Sequence, residues 1–335
     1  MRTQKFGIEI EMTGITRAKA AQVMAGYLET TAVHVGGGYD TYTVTQSDGR
    51  RWKVVSDGSI RRESSRGYTE NHDYSVEVVS PICVYEDIPQ IQEMVRSLAK
   101  AGAKVNSSCG IHVHVDSSRH DARTLRNIAN IMASKEDLLY KALEVEDWRA
   151  ENYCQKADLS FLDQVNHRRP KTMDEIENLW YKGRPSRAFQ HYDDSRYHAL
   201  NLHSVFNKGT IEFRMFNSTL HAGKVKAYIQ LCLAISHQAL IQKGASRQKT
   251  QTQNDKYTFR TWLLRLGMIG DEFKTARLHL LKHLDGNIAW RDPAQAEAQR
   301  VRLQAQAEQP QQTETPQEDS QTDEPDEGLG AMGME

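Results

Sequence analysis

Residues 6–12 read FGIEIEM. Side chains alternate across a β-strand with period two, so Phe6, Ile8, Ile10 and Met12 take one face and Glu9 and Glu11 the other. Three further segments repeat this split. In GIHVHVD (110–116), Ile111, Val113 and Val115 oppose His112, His114 and Asp116. In TIEFRMF (210–216), Ile211, Phe213 and Met215 oppose Glu212, Arg214 and Phe216, and in YSVEVVS (74–80), Val76 and Val78 oppose Ser75 and Glu77. One half of each segment is what a core requires. The other half is Glu, His and Arg instead of the Thr, Ser, Lys and Gln of a solvated sheet face. Strands paired side by side would crowd four carboxylates onto one surface, where they repel one another unless protonated or neutralised. A divalent cation on oxygen ligands relieves that repulsion, with Mg2+ the first choice and an imidazole making Mn2+ acceptable. Each segment also has a plainer reading: Glu9 and Glu11 as an exposed polar face, Glu77 as a solvated edge, Glu212 and Arg214 as a surface ion pair. The conjunction of all four is what points to a metal site.

Working outward, strands are expected at 5–13, 74–79, 109–116, 199–205 and 210–216, with short strands around glycine turns over 34–55. The Gly36-Gly37-Gly38 run reads as a hairpin turn, and Asn207-Lys208-Gly209 as a second hairpin turn joining the last two strands. Helical spacing occupies 17–29, 86–101, 121–144, 225–243, 257–266 and 273–284. Residues 149–194 read as irregular and polar, with one short helix near 173–181 and a basic set (Arg168, Arg169, Lys171, Arg184, Arg187) that suits a loop meeting an anion. The fold class is α+β.

The chain has 335 residues and a formal net charge of −1. Nine Asp or Glu and no Lys or Arg follow Arg302, which leaves 43 basic against 35 acidic residues before that point. A body near +8 suits an anionic ligand such as a nucleotide phosphate, and is too mild to argue for DNA or RNA. Residues 292–335, rich in Gln, Glu, Pro and Thr, have too few apolar side chains to offset chain entropy and are expected to be a disordered acidic tail, either solubilising or binding a protein partner. No apolar run is long enough to span a bilayer, and glutamates interrupt the start where a signal peptide would need an apolar stretch. Four widely spaced cysteines without a CxxC pair fit a reducing, cytoplasmic setting.

In their order these segments resemble the amidoligase family of the glutamine synthetase-like carboxylate–amine ligase superfamily. The matching residues are Gly7, Glu9 and Glu11; Asp57, Gly58 and Ser59; Glu77, Ser80 and Pro81; Gly110, His112, His114 and Asp116; and residues 211–214 with Asn217, Thr219 and Leu220. The resemblance covers residues 5–240. It implies a curved antiparallel sheet, the glutamine synthetase-like funnel, backed by helices, with a catalytic domain over 1–245, a helical extension packed on it over 246–291, and the tail after it. It implies ATP and Mg2+ as cofactors. Glu9, with His112 and Glu212, resembles the ligands of a cation near the ATP phosphates, while Glu11 and Glu77 resemble those of a cation near the acceptor carboxylate. A second carboxylate on the Glu77 strand is not evident. His114 matches a histidine that touches nucleotide phosphate, and Asn201 is a further candidate for nucleotide or substrate contact. Arg214 matches an arginine near the transferred phosphoryl group. Asp57 stands at the substrate mouth, where it would orient the amine, and Arg196 is a third catalytic candidate.

The implied activity is ATP-dependent formation of an amide or peptide-like bond through an acyl phosphate, from small-molecule or peptide carboxylate and amine substrates, with no nucleic acid and no membrane involved. Two other readings stand beside it. One is a metal-dependent phosphotransferase or hydrolase on the same fold. The other is a non-catalytic binding or assembly protein acting through its tail.

Overall fold

The alternation in residues 6–12 produces β1 (Phe6–Met12), whose Phe6, Ile8, Ile10 and Met12 are all buried in the core. In this computed structural model, which describes residues 1–190 and 192–307, the chain continues as α1 (Arg17–Tyr27), β2 (Ala32–Gly36), β3 (Thr41–Thr45), β4 (Arg51–Val55), and the two-residue strands β5 (Glu63–Ser64) and β6 (Gly67–Tyr68). There follow β7 (Val76–Val79), α2 (Ile88–Lys100), β8 (Gly110–Asp116), α3 (Ala122–Leu143), α4 (Asp147–Asn152), α5 (Leu159–Arg168) and α6 (Met173–Trp180). The last elements are β9 (Leu200–Asn201), α7 (His203–Lys208), β10 (Thr210–Asn217), α8 (Ala222–Ile241), α9 (Asp255–Arg265), α10 (Lys274–Leu281) and α11 (Pro293–Ala307).

Eight strands form one antiparallel sheet in the order β2-β3-β4-β7-β1-β8-β10-β9. Helices back one of its faces. α1 packs on β2–β4, α2 lies against α1 and α8, and α8 sits between β8, α3 and α10. α8 is buried nearly all round, through Val225, Ile229, Leu231, Leu233 and Ile235, as a helix covered on several sides must be. Removing each large aliphatic side chain of this layer from water stabilises the fold by roughly 1.5–3 kcal/mol. Residues 1–293 form one compact unit. Within the segment expected to lack structure, residues 293–307 form α11; residues 308–335 lie outside the described residues.

Four local expectations need correction. Residues 199–205 are not a full strand: pairing with β10 ends after Asn201, and residues 203–208 turn into α7. Gly209, at φ 70°, closes that helix by donating its N–H to the Val205 carbonyl, so Asn207-Lys208-Gly209 is a glycine helix stop and not a hairpin turn. Residues 149–194 hold three helices as well as 3-10 turns, because Asp158 and Thr172 cap α5 and α6 with their side chains. Finally, Phe216 does not share a face with Glu212 and Arg214. A register shift between Phe213 and Phe216 pairs Phe216 with the core residue Ile111, and its ring stacks on Tyr228 of α8 at 4.3 Å.

Candidate active site

The register of the four central strands brings the polar positions together. Glu11 stands opposite Glu77 across β1 and β7, Glu9 opposite His112 across β1 and β8, and Glu212 opposite both His114 of β8 and Asn201 of β9. The apolar partners of these residues point to the helices, so the charged set occupies the opposite face. His112 Nδ1 lies 3.1 Å from Glu9 Oε2, and its Nε2 is 3.7 Å from Glu11 Oε1. His114 Nε2 is 3.3 Å from Glu9 Oε1 and 3.9 Å from Glu212 Oε1, while its Nδ1 meets the Thr210 hydroxyl at 3.0 Å. The Arg214 guanidinium hydrogen-bonds Glu212 Oε1, and Asn201 Nδ2 donates to Glu212 Oε2 at 2.7 Å. Gly110 N–H donates to Glu11 Oε2 at 2.6 Å.

Glu9, Glu11, Glu77 and His112 form the floor of a cleft of about 600 Å³, and His114 and Glu212 are buried against Glu9 behind it. Its walls carry Lys53, Asp57, Ser108, Arg149, Tyr153, Tyr197, Lys208 and Arg214, and its rim carries Tyr39, Tyr192 and Arg196. Asp57 enters from a turn in which its Oδ1 accepts the Ser59 N–H at 2.6 Å, the turn chemistry that Asp-Gly favours. The hydroxyls of Tyr39 and Tyr192 meet at 2.6 Å across the rim, and the Arg196 guanidinium lies 5.4 Å and 5.8 Å from the ring centroids of Tyr192 and Tyr197.

Burial sets the charges of the floor unevenly. Burial, reinforced by the Asp57 carboxylate, pushes Glu11 up to about 7. Burial, then Glu9 and Glu11, raise Glu77 well above the carboxylate range. Burial opposes the charge on Glu9 as well, but His114 and His112 outweigh it and hold Glu9 well below that range. For Glu212 the same opposition is overcome by Arg214 first and the two histidines next. Burial and Arg214 lower His112 to about 4, leaving a neutral imidazole. Burial works against a charge on His114, yet Glu9 and Glu212 raise it.

The donor set fits divalent cations. Three groups each offer ligand atoms within 4.8 Å of one another: Glu9 with His114 and Glu212, Glu9 with Glu77 and His112, and Glu11 with Asp57 and Glu77. Buried His114 Nε2 has no hydrogen-bond partner of good geometry, and Asn201 Oδ1 has none either. Carboxylate oxygens with one or two imidazoles are the ligands of Mg2+ or Mn2+. Asp57, on a turn outside the sheet, brings a third carboxylate to Glu11 and Glu77.

All five residues expected to hold metal therefore converge, and Arg214 and Asp57 line the same cleft. His114 stands among the ligand atoms, and Asn201 lies beneath the wall, holding Glu212. His203, two residues after Asn201, is turned away by α7 and bonds the Tyr181 hydroxyl at 2.5 Å. Arg168, Arg169, Lys171, Arg184 and Arg187 are not part of the cleft wall, and Arg187 is tied to Asp193. Sequence reasoning missed Arg149, which looked like the start of a polar loop, and Lys208, whose Nζ reaches within 3.8 Å of Glu9 Oε1 and which looked like a turn residue. Neither sits in a strand pattern, and only the helices that carry them bring them to the site.

Among the described residues, no helix is long and apolar enough to cross a membrane. Residues 2–236 match the model of a family described as "Putative amidoligase enzyme". No curated protein matches the chain.

Proposed function

The chain belongs to the amidoligase family, and from that premise we propose that it is an ATP- and Mg2+-dependent carboxylate–amine ligase that works through an acyl phosphate. The observation that carries this reading is the convergence of Glu9, Glu11, Asp57, Glu77, His112, His114 and Glu212 in three overlapping ligand groups, at and just behind one cleft floor beside a buried arginine. Divalent cations held there would neutralise phosphate charge and position the phosphoryl group for transfer.

In the first step a substrate carboxylate oxygen attacks the γ-phosphorus of ATP, ADP leaves, and an acyl phosphate forms. Phosphoryl transfer asks the protein mainly for position and charge. Arg214 supplies fixed positive charge, because Glu212 holds its guanidinium and its Nε faces the Tyr153 carbonyl at 3.4 Å. Lys208, on the end of α7, adds a second cation at the cleft wall. In the second step an amine nitrogen attacks the acyl carbon and phosphate leaves. Asp57, held by Ser59, attracts the protonated amine and accepts its proton, so that the neutral amine is the nucleophile. Arg196, between two tyrosine rings at the rim, guards the substrate entrance.

The experiment is detection of ADP against AMP with Mg2+ and ATP across pools of amino acids and amines. ADP that accumulates only when carboxylate and amine are both present is the expected result. Glu9→Gln should lower turnover by about 10²–10³, the cost of losing one preorganised charge. Phosphate release from a substrate without ATP would indicate hydrolysis in place of ligation, and wild-type turnover by a folded Glu9→Gln protein would refute the ligand assignment.

A further inference from the structure

Three arginines are buried among the described residues: Arg17, Arg149 and Arg214. Arg17 is paired with Asp40 and Asp73, and Arg214 with Glu212. Arg149, only 2% exposed, forms no salt bridge with any described carboxylate. Its Nε has no partner at all. The rest of its guanidinium makes only long contacts with carbonyls, Nη1 to Ser108 at 3.4 Å and Nη2 to Arg214 and Phe216 at 3.4 and 3.5 Å. Those lengths lie beyond the ordinary N–H···O range. Arg149 acts on the Glu11 carboxylate through space without touching it; a buried charge with no anion in contact costs several kcal/mol, and a fold rarely sustains that for three marginal hydrogen bonds.

The position of Arg149 explains the cost. It lines the cleft. A Cβ added at Gly110 would fall 2.3 Å from Arg149 Nη2 and 2.9 Å from its Cζ. Gly110 lies two residues before His112, on the same face of β8, so the guanidinium fills the space of a missing side chain on the floor. A planar fork of donors placed there matches two oxygens of one anion. We propose that Arg149 is an oxyanion subsite of the cleft, binding either a carboxylate of the acceptor substrate or an oxygen of the transferred phosphoryl group. The subsite rests on the ligase reading for its two named sources. The unpartnered guanidinium over Gly110 is a separate observation.

The test is calorimetric titration of the full chain with inorganic phosphate and, separately, with L-glutamate and L-aspartate, each with and without saturating Mg2+ and ADP. Wild type should bind at least one of these anions, and Arg149→Gln should weaken that binding at least tenfold while Mg-ADP affinity stays within twofold. Gly110→Ala offers an independent handle: its methyl group displaces the far end of a flexible side chain, so it should reproduce the loss with Arg149 still present. Phosphate binding lost in both variants assigns the subsite to the phosphoryl group; amino-acid binding lost in both assigns it to the acceptor. Wild-type anion affinity in a folded Arg149→Gln protein, or in Arg149→Met and Gly110→Ala if Arg149→Gln does not fold, makes Arg149 a structural staple and overturns the proposal. Absence of any anion binding by wild type overturns it too. Failure of Mg-ADP to bind, with Arg149-dependent anion uptake intact, would instead count against the ligase reading and leave the subsite standing.

Discussion

Glu11→Gln should remove a pH dependence of about 2.5 kcal/mol from the metal-free protein. Burial, with help from Asp57, raises Glu11 from 4.5 to about 7. The folded state therefore keeps a proton that the unfolded state has released, and stability falls as pH rises between the two values. Glu11's contribution is fully present below pH 4.5 and is lost as pH climbs through 7. Linkage with these two values gives a loss of about 2.5 kcal/mol between pH 5 and 8. Glu77 is shifted in the same sense. His120, His203, His237 and His279 are lowered by burial, so their contributions grow as pH rises and run the other way. The diagnostic is therefore the difference between wild type and variant, in which the four histidines cancel, while Glu77, relieved of the Glu11 charge, is shifted less in the variant and adds to the difference in the same direction. Gln still offers an oxygen to the Gly110 N–H. For a domain of this size 1 kcal/mol moves Tm by about 2 °C. In EDTA, Glu11→Gln should then gain about 5 °C on wild type between pH 5 and 8, read by calorimetry or circular dichroism. Binding of Mg2+ has to displace the same proton, so wild-type affinity should rise about tenfold from pH 6 to pH 8. A wild type–variant difference that stays flat from pH 5 to 8 would refute the proton on Glu11.

Asn201→Ala removes the 2.7 Å tether on Glu212 and should weaken Mg2+ or Mn2+ binding about 10–100-fold; unchanged affinity in a metal titration would show that Arg214 alone orients the carboxylate. Gly209→Ala places a Cβ at φ 70° and should cost about 1 kcal/mol in urea unfolding, whereas a neutral result would contradict a left-handed cap on α7. Phe216→Ala should cost about 3–5 kcal/mol in the same assay, as expected of a core aromatic; a loss under 1 kcal/mol would put its ring on the cleft face and remove the bulge.

Period two made the central sheet legible, since a strand with one apolar face reports its own orientation and needs no knowledge of its neighbours. That is why Glu9, Glu11, Glu77, His112 and Glu212 could each be placed on the polar side of its own strand before the pairing was known. Where a second rule competed, the strand rule failed. Residues 199–205 alternate as a strand would, but Gly209 stops a helix, and tertiary bonds from Ser204 to Thr210 and from His203 to Tyr181 hold the turn that starts it. The bulge in β10 inverts the orientation of Phe216 without any mark in the sequence, because one residue of slip moves a side chain to the other face. Arg149 and Lys208 carried no periodic signal, and their role depends on where short helices are docked.

The floor is electrostatically two regions, and the difference bears on how it would fill. Glu9 and Glu212 are balanced within the protein: two imidazoles, Arg214 and Lys208 stand within 4.0 Å of one or the other carboxylate. Glu11 and Glu77 face each other across β1 and β7 with Asp57 beside them, no Lys or Arg forms a salt bridge with either glutamate among the described residues, and the pKa of both is raised. A cation entering the first region exchanges contacts with protein charges. A cation entering the second replaces protons and relieves direct carboxylate repulsion, so its binding is the one that depends on pH in the neutral range. Asp57 belongs to that second region, which places the group proposed to take the amine's proton on the same side of the floor as the carboxylates that hold protons when no metal is bound.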